Sequence, residues 1–87
     1  MPDIQVTKID NVNFQVTVSG QTTTTHHVTL QDAYANKLTN NQFSKEVLVK
    51  KSFEFLLERE PNTSILRHFD LTVISRYFPE YEVTISK

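Results

Sequence analysis

Aromatic residues are concentrated in the second half of this chain, and that asymmetry limits where a hydrophobic core can form. Six of the nine aromatic residues lie within residues 52–81: Phe53, Phe55, Phe69, Tyr77, Phe78 and Tyr81. Residues 1–30 are instead polar and rich in threonine. Because aromatic side chains bury the largest apolar areas, we expect the second half to supply the core against which the first half packs.

The first half alternates apolar and polar residues with a period of two, as half-buried strands do. The alternation covers residues 4–7, 14–18 and 22–30. It predicts an antiparallel β meander over residues 1–30, with one face turned to the core. The core-facing residues of this meander are predicted to be Val6, Phe14, Val16, His26 and Val28.

The first hairpin is predicted to close through a three-residue loop, residues 9–11. That loop pairs Val6 with Phe14 and keeps the apolar residues on one face, whereas a two-residue turn would mix the faces. Asn11 suits the left-handed backbone conformation that such a loop requires.

Two helices are predicted to follow the meander. Leu30, Tyr34 and Leu38 recur at every fourth position, which predicts a short helix over residues 31–38. A longer helix is predicted over residues 44–60, where Ser44 is a suitable N-cap and Pro61 ends the helix. Its apolar residues cover an arc of roughly 200°, too wide for a helix that is buried on one side only. We therefore expect this helix to be the central element of the core.

Residues 63–78 are predicted to form two shorter helices, residues 64–68 and 71–78, capped by Thr63 and Asp70. Alternating apolar residues in the last segment predict a closing strand over residues 81–86. The chain is thus predicted to be a single α+β domain, residues 1–87, with a three- to four-stranded antiparallel sheet. Helices within residues 31–78 are expected to cover one face of that sheet.

Charge and composition narrow the classes of function. The net charge is -1, with two lysines and three aspartates in residues 1–43 and seven basic and seven acidic residues in residues 44–87. Neither half has the basic excess that favours binding to nucleic acid. The chain has no cysteine, no run of about 20 apolar residues and no pattern of a signal peptide. We therefore expect a cytoplasmic protein without membrane contact.

Candidate catalytic and metal-binding residues are explained more simply by structural roles. His26 and His27 are neighbours on a predicted strand, so their side chains point to opposite faces and cannot share a metal ion. Glu54 and Glu58 share a helix face, but they lie beside lysines on its most polar arc, as solvated residues do. The chain has one glycine and no recognisable catalytic motif. We expect neither enzymatic activity nor a metal or cofactor.

The candidate interaction surface consists of Arg67, Arg76 and Tyr77. A tyrosine late in a short amphipathic helix is well placed to be a partly exposed interface anchor. Arginines in this region can hold an acidic partner or pair with nearby carboxylates of the chain, and the second interpretation is favoured. The leading hypothesis is a non-catalytic module for protein–protein contacts or self-association. The alternative is a small DNA-binding regulator that uses a helix-turn-helix-like segment, residues 63–78.

Several sequence blocks carry a resemblance to a known group of proteins. The segments SFEFLLERE, SIL, FDL and VISRYFPEYE, together with a Thr-rich strand ending in His-x-Val-Thr, resemble a family of short uncharacterised bacterial proteins. The resemblance covers most of the chain. It implies a bacterial origin and a standalone domain, and it assigns no catalytic or binding residue.

Overall fold

The computed structural model describes residues 3–40 and 42–86 and has the expected α+β fold, with helices packed on one face of a sheet. The four strands, in their order across the sheet, are β1 (Asp3–Lys8), β2 (Asn13–Ser19), β3 (Thr23–Thr29) and β4 (His68–Asp70). The first three strands form the predicted antiparallel meander, whose residues 1 and 2 lie outside the described residues. The fourth strand is parallel to β3, so the sheet is mixed.

The predicted faces of the meander are confirmed. Phe14, Val16 and Val28 are fully buried, and Val6 packs against them at the edge of the core. His26 is 1% exposed, whereas His27 lies on the opposite, open face of the sheet. The period-two pattern therefore identified correctly which side of each strand is buried.

The predicted register of the first hairpin is wrong by two residues. Val6 pairs with Val16 rather than with Phe14. The Asp10 carboxylate explains the longer loop, because Oδ1 accepts hydrogen bonds from the backbone N–H groups of Val12 and Asn13, each at 2.9 Å. These bonds stabilise the turn without a left-handed residue, and Asn11 has no positive φ. An even shift leaves every side chain on its predicted face.

The two helices predicted to follow the meander are both present, as α1 (Asp32–Thr39) and α2 (Lys45–Leu57). Ser44 caps α2 as expected, since its hydroxyl accepts a hydrogen bond from the backbone N–H of Val47 at 3.2 Å. The helix ends three residues earlier than predicted. Six residues of α2 are buried, on an arc wide enough to contact the sheet and the other helices: Leu48, Val49, Ser52, Phe53, Phe55 and Leu56.

The predictions for residues 63–86 need three corrections. In place of a helix over residues 64–68, the chain forms a 3-10 turn (Asn62–Ser64) and then β4. In place of a closing strand over residues 81–86, it forms the helix α4 (Tyr81–Ile85). Between them, α3 (Val73–Tyr77) starts later than predicted, because the Asp70 carboxylate accepts hydrogen bonds from the N–H and hydroxyl of Thr72 and orders a turn first.

A buried chain of hydrogen bonds attaches the segment before β4 to β3. The amide Nδ2 of Asn62 donates to Thr24 Oγ1 at 2.9 Å, and Thr24 Oγ1 lies 2.8 Å from His26 Nε2. His26 Nδ1 lies 2.8 Å from the Leu66 carbonyl oxygen, which can only accept, so the proton of the imidazole is on Nδ1. The backbone continues this attachment, since the N–H of His27 donates to the Arg67 carbonyl.

The helix α4 is attached to the core through Tyr81. Its ring packs edge-on against Phe55, with the ring centroids 5.2 Å apart. Its hydroxyl lies 2.6 Å from Ser52 Oγ, and Ser52 in turn donates to the Leu48 carbonyl at 2.7 Å. The Tyr81 hydroxyl is therefore the donor to Ser52, and no buried side-chain polar atom in the described residues lacks a hydrogen-bond partner.

Candidate functional site

An apolar groove lies between the end of α2, the segment that leads into β4, and α3. Its volume is about 410 Å³, within the range of pockets that bind small ligands or side chains of a partner. The three elements meet here because the chain, after the end of α2, becomes extended at Pro61 and leads through the 3-10 turn to the sheet. The turn at Asp70 then reverses the chain into α3.

The groove has a buried floor and an exposed rim. Leu56, Ile65 and Ile74 belong to the hydrophobic core and form part of its lining. On the rim, Leu66 is 48% exposed and Tyr77 is 68% exposed. Five large apolar side chains are exposed among the described residues, and these two line the same groove. Single exposed apolar residues are ordinary, but here two of them adjoin an apolar depression and form one exposed apolar patch with it.

One carboxylate lies in the wall of this groove. The backbone N–H of Glu60 donates to the Leu56 carbonyl at 2.9 Å, which fixes the residue against the end of α2. Within residues 3–40 and 42–86, its side chain forms no hydrogen bond or ion pair. Partial burial raises the pKa of the Glu60 carboxyl, because the charged form loses hydration. The groove therefore contains an acidic group whose charge the described residues do not neutralise.

The neighbouring arginine does not compensate this carboxylate. The Arg59 guanidinium lies over the ring of Phe55, 3.6 Å from its centroid, and Nη1 donates to the Phe55 carbonyl at 2.9 Å. The same side chain forms ion pairs with Glu58 at 3.4 Å and with Glu80 at 3.5 Å. The Arg59 guanidinium thus has four partners, and Glu60 is not among them.

Of the predicted interaction residues, Tyr77 lines the groove, and Arg67 and Arg76 are sequence neighbours of groove residues. Tyr77 lies on the rim of the groove, and its exposure agrees with the exposure expected for an interface anchor. Arg67 and Arg76 are both exposed. Arg67 directly follows the rim residue Leu66, and Arg76 directly precedes the rim residue Tyr77. Of the three arginines, only Arg59 forms the expected ion pairs within the part of the chain that the structure describes.

The sequence did not identify Leu66 or Glu60 as groove residues. Leu66 is assigned to a helix by the capping pattern, and only the extended conformation of this segment places it on the rim. Glu60 is visible as a carboxylate before a proline, but its environment depends on α3, which is distant in the sequence. The one available signal was the apolar composition of residues 65–78.

The two helices that the helix-turn-helix hypothesis requires in residues 63–78 are not both present. The first of its two helices is absent, since His68–Asp70 form a strand paired with β3. The remaining helix, α3, has five residues, too few to present a recognition surface along a major groove. The central rows of the open face of the sheet consist of threonine, glutamine and histidine.

His26 and His27 lie on opposite faces of β3, as the sequence predicted. His26 is buried, and burial lowers its pKa because the protonated ring loses hydration. His27 instead stacks on His68 across the β3–β4 pair, with ring centroids 5.3 Å apart and planes within 4°. In the described residues, no group of three or more His, Cys, Asp or Glu side chains is placed to hold a metal ion.

A second, open depression of about 350 Å³ lies between α1 and α4. Its charged residues neutralise each other, because Lys37 and Glu82 form an ion pair at 3.2 Å. Glu82 also accepts a hydrogen bond from the Tyr34 hydroxyl at 2.9 Å, and this bond holds the pKa of its carboxyl below the ordinary value. Unlike the groove beside Glu60, this depression contains a carboxylate whose charge is compensated internally.

The comparisons with known proteins return no match to a protein family, a curated protein or a solved structure. Across the described residues, no helix is long and apolar enough to cross a membrane, and the longest, α2, has 13 residues.

Proposed function

We propose that this chain is a small cytoplasmic bacterial protein that acts, without catalysis, by binding a segment of another protein in the groove between α2, β4 and α3. The bacterial origin rests on the resemblance of the sequence blocks given above. The observation that supports the binding role is the combination of a groove of about 410 Å³ with Leu66 and Tyr77 exposed on its rim. Aromatic side chains at the edge of a pocket are frequent anchors of protein interfaces.

The organisation of the fold is compatible with this role. The groove walls come from elements fixed by buried contacts: the hydrogen bonds through His26 hold the β4 side, and Ile74 holds α3. A preformed groove reduces the entropy that must be lost when a partner binds. The rim residues contribute little to folding, since they are largely exposed, and are therefore available for binding.

Selection from a random peptide library displayed on phage tests the proposal. The folded protein is the bait, and the selected peptides are titrated into ¹⁵N-labelled protein. We expect amide shifts to be largest around Leu66 and Tyr77, and Tyr77→Ser to weaken binding by about tenfold, as for a moderate interface anchor.

Ile9→Ser is the matched control, because Ile9 is an exposed apolar residue (53% exposed) in the loop between β1 and β2. It should leave binding unchanged. Peptides whose shifts map outside the groove, or equal losses in the Tyr77 and Ile9 variants, would contradict the proposed function.

A further inference from the structure

The groove holds an acidic group that any apolar partner must desolvate. Glu60 lies in the wall beside Leu56, Ile65 and Leu66, and within the described residues its carboxylate has no partner. When a partner covers the groove, water leaves this carboxylate. A carboxylate that is dehydrated without a compensating cation or donor is strongly unfavourable.

The protein cannot supply the missing positive charge from the nearest arginine without breaking existing contacts. Arg59 is held on the ring of Phe55 and by Glu58 and Glu80. The second depression of the protein shows the contrasting arrangement, in which Lys37 already neutralises Glu82. Arg67 and Arg76 are exposed next to the rim residues in the sequence, but within the described residues neither forms an ion pair with Glu60. In a complex, a basic residue of the partner can provide the cation that compensates Glu60.

We infer that the groove selects partner segments in which a lysine or arginine lies next to the apolar residues that fill it, and that Glu60 is the residue that determines this preference. The inference rests on the proposed function, because it specifies the partner of the same groove. The preference has two physical causes: Glu60 attracts a basic segment, and it penalises other segments. A neutral or acidic segment would leave the Glu60 charge buried and unpaired. A basic segment replaces the lost hydration with a charge-assisted hydrogen bond.

Two parallel library selections test the inference, one with the wild-type protein and one with Glu60→Gln. Peptides selected by the wild type should be enriched in lysine and arginine relative to the starting library, and those selected by Glu60→Gln should not be. One selected basic peptide is then synthesised in three forms, with the basic residue kept, replaced by glutamine, or replaced by glutamate.

Isothermal titration of the three peptides measures the preference directly. Wild-type protein should bind the basic peptide about tenfold more tightly than the glutamine form, the scale of one charge-assisted hydrogen bond, and should bind the glutamate form most weakly. Glu60→Gln should bring the basic and glutamine forms within about twofold of each other. Glu60→Lys should reverse the order and favour the glutamate form.

Glu54→Gln is the matched control, because it removes the same charge from an exposed position on α2 outside the groove. It should retain the wild-type preference. If peptides map to the groove but show no basic enrichment, or if Glu54→Gln acts like Glu60→Gln, this inference is overturned while the proposed function stands. If no selected peptide occupies the groove, the proposed function itself fails.

Discussion

Replacing Phe55 by alanine removes the ring around which the last third of the fold is organised. Phe55 is 3% exposed and lies at the centre of three ring contacts. Phe78 packs edge-on against it at a centroid distance of 5.8 Å, and Tyr81 does so at 5.2 Å. The Arg59 guanidinium covers its remaining face. The substitution therefore affects the positions of α3 and α4 together.

The expected loss can be estimated from these contacts. A buried Phe→Ala change costs about 3–5 kcal/mol, and the cost within this range depends on how far the surrounding residues can close the cavity. Aromatic pairs contribute about 0.5–1.5 kcal/mol each beyond buried area, so two pairs place Phe55→Ala in the upper half of that range. At about 0.05–0.15 kcal/mol per residue, a domain of this size has a stability of about 4–13 kcal/mol, and a domain near the lower end of that range would lose most of it.

Urea denaturation followed by circular dichroism measures the loss. We expect Phe55→Ala to be largely unfolded near 37 °C. Phe55→Leu keeps most of the volume but loses both aromatic pairs, so it should unfold cooperatively with a loss of about 1–3 kcal/mol. Tyr77→Ala should change stability by less than about 0.5 kcal/mol, as an exposed residue does, yet weaken partner binding or self-association in sedimentation. Equal losses of stability in the Phe55→Ala and Tyr77→Ala variants, with association unchanged, would refute this division between core and surface.

Three further predictions concern the buried polar groups and nucleic acid. Because burial lowers the pKa of His26 below the value of about 6.5 in an unfolded chain, the unfolded state binds more protons in acid. The free energy of unfolding should therefore fall as the pH drops below about 6.5, and less so in His26→Gln than in His27→Gln. Ser52→Ala should cost about 1–3 kcal/mol in a urea titration by leaving the Tyr81 hydroxyl unpaired, and adding Tyr81→Phe should recover part of that loss. Random duplex DNA should bind weakly in fluorescence anisotropy; a submicromolar dissociation constant at physiological salt that rises steeply with added salt would contradict this.

The parts of the fold that the sequence predicted correctly are those with a repeated local signal. The alternation in β2 and β3 identified the buried face, and Ser44 identified the start of α2. The last segment had an ambiguous signal, because apolar residues at Tyr81, Val83 and Ile85 fit a strand. The structure buries the first and third, which are four residues apart as on a helix, and leaves Val83 64% exposed.

The parts that the sequence could not predict are fixed by contacts between distant residues. The strand β4 has three residues, too few for a periodic pattern, and its pairing depends on hydrogen bonds from His26 and His27 to the backbone at Leu66 and Arg67. The groove follows from that pairing. The exposure of Tyr77 was predictable from a short amphipathic segment. The uncompensated charge of Glu60 was not, because it depends on the contacts of Arg59 with Glu80 and with the ring of Phe55.

Intermolecular nuclear Overhauser effects between the labelled protein and a selected peptide test most directly whether the groove binds a partner segment. We predict contacts from apolar peptide side chains to Leu66 and Tyr77. We also predict contacts from the side-chain methylene groups of a peptide lysine or arginine to Glu60. Contacts confined to the open face of the sheet, or to the depression between α1 and α4, would contradict the account.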